Sequence, residues 1–159
     1  MNCRNKRIIS YVAIIFAMCF IFSGCSLKTH TVIKADYYTD TNLTDKYFDN
    51  LKISRCEYES LHPSEYLGKI EIGAMGPAEP SYRGAIFISE TEGERLMNDY
   101  TWTLDNSNLP DLGQVNNSVN MVSEWYVSKD FNQDVFKLGH DADIRFNGKD
   151  TIIFTFGTY

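Results

Sequence analysis

Apolar and polar residues alternate most cleanly near the C-terminal end of the chain. Ile152, Phe154 and Phe156 fall on one face of an extended segment, and Ile153 and Thr155 on the other. A strand over 151–156 with apolar residues on both faces belongs well inside a sheet. Residues 143–146 precede it, and Asn147-Gly148-Lys149-Asp150 lies between them. Asn-Gly supplies the positive φ angles of a tight hairpin turn. Upstream, 69–73 (KIEIG) alternates with period two, 51–59 alternates less regularly, and 85–89 (AIFIS) is a short apolar run suited to a central strand. Residues 101–104 and 123–128 also read as extended. His62-Pro63-Ser64 and 129–133 predict turns, and 74–84, rich in Gly and Pro, predicts irregular chain. One helix stands out. In Ser89-Glu90-Thr91-Glu92 a hydroxyl can accept from the backbone N–H three residues on while Glu92 reaches back, a capping box. The helix predicted over 90–100 buries Leu96, Met97 and Tyr100. Its acids Glu90, Glu92 and Glu94 suit the positive end of the helix dipole and solvent, since alternate helical positions do not face one another. The sum is an α+β domain, an antiparallel sheet of five to seven strands with one main helix packed on a face.

The N-terminus follows a different pattern. Arg4, Lys6 and Arg7 are followed by fifteen uncharged, mostly apolar residues, 8–22. A spanning helix needs about 20 such residues, so this run fits the apolar region of an export signal. It ends in Phe22-Ser23-Gly24-Cys25. This tetrapeptide resembles the lipobox of bacterial lipoproteins, with Phe22 standing where Leu is usual. The resemblance covers the first 25 residues. It implies cleavage between Gly24 and Cys25, a diacylglyceryl group on the Cys25 sulfur, and retention on the outer face of the cell membrane. The expected organisation is a signal peptide over 1–24, the lipidated Cys25 with a flexible polar tether over 25–46, and one domain over 47–159. A short first strand at 30–36 is the alternative to a tether. About 20 flexible residues would reach roughly 25 Å.

Composition adds to this picture. Removing 1–24 takes away three of the 15 Lys and Arg and none of the 21 Asp and Glu, so the remainder carries −9. Nucleic-acid binding needs clustered cations and is disfavoured. Membrane attachment is left to the lipid rather than to a basic patch. Cys3 and Cys19 leave with the signal and Cys25 is taken by lipid, so Cys56 remains as a single thiol with no disulfide partner, expected to be buried. Abundant Phe, Tyr, Ile, Asn and Lys imply AT-rich codons and a low-GC Gram-positive source.

Candidate chemistry is sparse. His140-Asp141-Ala142-Asp143 is the densest set of possible ligands, but no second cluster has metal-ligand spacing, and the stretch reads better as a solvated turn. No catalytic, cofactor or metal motif is found. Residues 105–120, rich in Asn, form a long stretch of the kind that is functional or mobile. Trp102, Trp125 and Tyr126 flank it in sequence and would stack on a sugar or anchor a protein if exposed, or fill the core if not. The expected function is a non-enzymatic binding module of the cell envelope whose partner is a protein or glycan. An immunity- or inhibitor-type lipoprotein that neutralises a toxin or hydrolase is the alternative, and a small metal-dependent hydrolase or metal carrier the least favoured reading.

Overall fold

The computed structural model describes residues 29–67, 70–74, 81–121, 123–138 and 142–157. The signal peptide expected over 1–24, Gly24 and Cys25 at the expected cleavage site, and His140 and Asp141 lie outside the described residues. The fold is α+β. Strands β1 (Thr29–Tyr38), β2 (Ile53–Leu67), β4 (Ser81–Ile88), β5 (Thr103–Asp105), β6 (Trp125–Val127), β7 (Asp143–Phe146) and β8 (Thr151–Gly157) form one antiparallel sheet in the order β1-β2-β4-β8-β7-β6-β5. A further strand, β3 (Ile70–Ala74), pairs with the distal part of β2. No helix among the described residues is long and apolar enough to cross a membrane.

The predicted hairpin of β7 and β8 is present, with Phe146 opposite Ile152. β8 lies at the middle of the sheet, as its two apolar faces require. Of the four turn residues only Gly148 has positive φ, at 75°. Asn147 works through its side chain instead: Oδ1 accepts from the backbone N–H groups of Lys149, Asp150 and Thr151 at 2.9, 2.9 and 3.0 Å. Asn147→Ala removes all three bonds, and a loss of about 1–2 kcal/mol is expected in urea unfolding.

Alternation along β8 divides the core in two. Ile152, Phe154 and Phe156, with Ile86, Ile144 and Phe146, face a layer built from three helices. These are α1 (Asn42–Tyr47), α2 (Glu90–Asp99) and α3 (Lys129–Val135), which insert Leu43, Tyr47, Leu96, Phe131 and Val135. Ile153 and Ala85 face the other way. Leu112, Val115 and Val119 from the Asn-rich stretch cover them, around a 3-10 turn at Gly113–Asn117. That stretch is therefore a packed second layer and not an open loop.

Three sequence expectations are corrected. The tether expected over 25–46 gives way to β1 and α1 from Thr29 onward, so the alternative of an early first strand is the one realised. α1 forms because Leu43 and Tyr47, four residues apart, share a buried face, while Asp40 accepts from the Asn42 N–H ahead of it at 2.9 Å. The turn expected at His62-Pro63-Ser64 is extended chain within β2. β4 pairs with β2 as far as Leu61 and β3 takes over at Ser64, so Pro63 has a strand neighbour on one side only, a position that tolerates a residue without an N–H. The turn expected over 129–133 is α3, started by the Ser128 side chain, which accepts from the Phe131 N–H.

Helix α2 matches its prediction in extent. Ser89 Oγ accepts from the Glu92 N–H at 3.2 Å. Leu96 is fully buried and Tyr100 half-buried, while Met97 is exposed. Glu92 departs from the solvent role expected of it: it is 3% exposed. Its carboxylate accepts from Arg95 at 2.6 Å and from the Lys52 backbone N–H at 3.2 Å, which ties α2 to the chain entering β2. The bond from Arg95, then that from Lys52, holds the carboxyl below its ordinary range against the opposing effect of burial. A depressed carboxyl contributes stability above its unfolded pKa, and this is lost as pH falls through the folded value. Glu92→Gln is expected to cost about 1–2 kcal/mol at neutral pH. The gap from wild type should close on acidification, read as urea midpoints across a pH series.

Candidate functional site

The residues nominated from sequence do not converge. Trp102 is half-buried on the helix-covered face, its ring centroid 5.1 Å from that of Phe131 and 5.2 Å from that of Phe146, and its Nε1 donates to the Leu96 carbonyl at 2.8 Å. Trp125 is 3% exposed and belongs to the second core, on the opposite face. Tyr126 follows it in β6, half-buried, its hydroxyl donating to Glu124 at 2.9 Å. The two indoles fill two separate cores, so they form no common stacking platform. Cys56 is buried among apolar side chains as expected, and burial pushes its thiol up to about 12, leaving it protonated at neutral pH. Among the described residues no group of three His, Cys, Asp or Glu is placed to hold a metal ion.

The Asn-rich layer is fastened to the sheet by two arginines. Glu59 on β2 is 1% exposed and stands opposite Arg83 on β4. Arg83 Nε and Nη2 both lie 2.7 Å from Glu59 Oε2, while Nη1 reaches out to Asp111 at 2.8 Å. Glu59 Oε1 accepts from the Gln114 N–H at 2.9 Å. Asp111 accepts from Gly113 and Asn116, and these bonds together with Arg83 hold its carboxyl below the usual range. At the other end, Arg145 on β7 pairs with Asp143 at 2.7 Å and with Asp105 at 2.8 Å. Every charge in these clusters has a partner, and they work as fasteners.

One pairing escaped the sequence reading. Ser60 Oγ and His62 Nε2 lie 2.9 Å apart. Their spacing of two puts them on one face of β2, a signal hidden once 62–64 is read as a turn. A hydroxyl beside an imidazole is the minimal arrangement for activating a nucleophile. Ser60 is buried, which leaves little of the hydroxyl for a substrate to reach.

Among the described residues β1 is an edge strand of the sheet, and its one strand neighbour is β2, paired from Thr29–Leu67 to Tyr38–Tyr58. Every residue from 30 to 39 is exposed, including Val32, Tyr37, Tyr38 and Ile33, the last at 66%. Tyr37 donates to the buried Glu57 at 2.8 Å, and Tyr38 stacks on Tyr58 with ring centroids 5.0 Å apart, so both rings are held against β2. An open strand edge presents alternate N–H and C=O groups as a template for another strand. Compared with known proteins, the chain matches no family model, no curated sequence and no solved structure.

Proposed function

We propose that the chain is a lipoprotein of the bacterial cell envelope, held at the membrane by lipid on Cys25, whose domain acts by binding another polypeptide rather than by catalysis. The observation that carries this reading is the exposed strand β1, which among the described residues pairs with β2 alone and begins four residues after Cys25. Extended chain spans at most about 3.5 Å per residue, so the start of β1 lies within roughly 14 Å of the lipidated sulfur. A strand edge recognises backbone amides, which favours a protein partner over a glycan. The buried, protonated Cys56 and the enclosed Ser60 favour binding over covalent catalysis, and the acidic balance disfavours nucleic acid.

Membrane fractionation of Cys25→Ala tests the anchor. The wild-type chain should sediment with membranes and be open to protease added outside the cell. The variant should appear in the soluble fraction or keep its signal sequence. A variant that is still cleaved and still membrane-bound would show that the lipid anchor is absent.

A further inference from the structure

We propose that one face of β1 lies on the membrane surface, with Ile33, Ala35 and Tyr37 seated among the lipid headgroups and the upper ends of the acyl chains. The proposal rests on reading Cys25 as the lipid anchor, and goes further by naming the side of the domain that meets the lipid.

Strand pairing sorts the residues of β1 between the two faces of the sheet. Directly opposed residues share a face, so Ile33, Ala35 and Tyr37 stand with Pro63, Leu61 and Glu59 of β2. Glu59 in turn faces Arg83, and Glu57 faces Ala85. This is the face that the Asn-rich layer covers further along the sheet, where Leu112, Val115 and Val119 pack with Ala85 and Ile153. The layer is fastened as far out as Glu59, through the Gln114 N–H. Beyond Glu59 the face opens. Leu61 and Pro63 are half-buried, Ala35 and Tyr37 are exposed, and Ile33 is the most exposed large apolar residue of the strand.

The two rows of β1 differ in chemistry. Ile33, Ala35 and Tyr37 carry no charge, whereas the opposite row contains Lys34 and Asp36. Tyr37 supplies the one polar side-chain atom of the open row, and its hydroxyl already donates to Glu57. Glu57 is also paired with Arg55, at 3.2 Å. Covering the row with an apolar medium therefore strands no side-chain donor of its own. A tyrosine with an apolar ring and a satisfied polar tip suits the boundary between water and hydrocarbon.

The place where the chain is anchored says what covers the row. Thr29 follows Cys25 by four residues, and Ile33 lies four residues further, roughly 13 Å along the strand. A tether this short holds the row at an effective concentration on the order of millimolar relative to the bilayer. A contact too weak to recruit a free protein is then enough to seat a tethered one. It needs no basic patch, which agrees with the acidic balance of the domain. With this face down, the strand lies flat and its outer backbone edge points sideways along the membrane, where a polypeptide can still reach it.

Site-directed fluorescence of the full-length, lipidated chain in phosphatidylcholine vesicles tests the proposal. Ile33→Cys, Ala35→Cys, Asp36→Cys and Met97→Cys would each carry an environment-sensitive label, Cys56 being too enclosed to react. A phosphatidylcholine with a nitroxide high on its acyl chain quenches labels that touch the bilayer. Labels at 33 and 35 should shift to the blue and lose most of their emission. Labels at 36, on the opposite row, and at 97, exposed on α2, should keep theirs. Adding Ile33→Asp should lower the quenching at 35 roughly ten-fold, while the chain still sediments with the vesicles. Equal thermal midpoints confirm that these variants fold. The proposal is overturned if labels at 33 and 35 on a sedimenting chain are quenched no more than those at 36 and 97, or if Ile33→Asp changes nothing. Either outcome leaves the anchor standing. A blue shift at 33 and 35 without quenching means that a second copy covers this face, and overturns the lipid. A chain that fails to sediment, with Cys25→Ala behaving identically, overturns the anchor and this face with it.

Discussion

Replacing Arg83 by Met is expected to destabilise the domain by about 3–5 kcal/mol, because it leaves Glu59 charged and almost wholly enclosed with no cation beside it. In a domain of this size the thermal midpoint should fall by roughly 10–15 °C. The loss should come from Glu59 rather than from Asp111, since Asp111 is exposed and an exposed ion pair is worth at most about 1 kcal/mol. Two further measurements separate a buried-charge effect from general disruption. Arg83→Met combined with Glu59→Leu should cost less than Arg83→Met alone, because no buried charge is then stranded. Amide exchange at 111–117 should rise in Arg83→Met, since Glu59 also accepts from the Gln114 N–H that holds this layer down. Undiminished protection there would mean that Leu112, Val115 and Val119 hold the layer without the arginine.

Gly93→Ala is expected to destabilise the domain by about 3 kcal/mol, against the usual sign for such a change. In a helix interior alanine is normally better than glycine by about 1 kcal/mol. At position 93, however, a Cβ would fall 1.7 Å from the Lys149 carbonyl oxygen, whereas ordinary contact begins at 3.4 Å. Neither side has a flexible side-chain end that could move aside. Helix α2 or the β7–β8 turn must retreat as a unit, loosening Glu92 or the Asn147 bonds. Chemical denaturation decides the sign, and a stabilised Gly93→Ala would show that α2 sits farther from the turn.

The parts of this fold legible in the sequence are those where local chemistry and tertiary role agree. Ser89 caps α2 with a bond made three residues away, and Asn147-Gly148 turns a hairpin between neighbouring strands. The β8 pattern reports burial on both faces, and β8 is central. Where the deciding interaction is remote, the signal fails. β1 shows no clean apolar alternation because residues on both of its faces are exposed, so it resembles a tether. Pro63 punctuates the sequence, yet it sits at a gap between two of β2's neighbours that only the register reveals. Trp102 and Trp125 flank the same stretch, and whether their rings face outward or into two different cores depends on which side of the sheet each strand residue occupies. Glu59 and Arg83 are unremarkable 24 positions apart, and their pairing follows from β2 lying beside β4. The edge status of β1, on which the proposed function rests, is likewise a property of strand order.

The placement of β8 has a consequence for when the molecule can come into being. Gly84 pairs with Phe154, 70 residues later, and β8 follows every other described strand along the chain. The sheet therefore has no middle until β8 arrives, and β4 is left without its neighbour on that side. Contacts between such distant positions form late, after a long loop has been closed. For a chain exported as proposed above, this ordering is useful. Threading through a membrane requires an unfolded polypeptide, and a fold that only its final strand can close stays open while the preceding strands pass through.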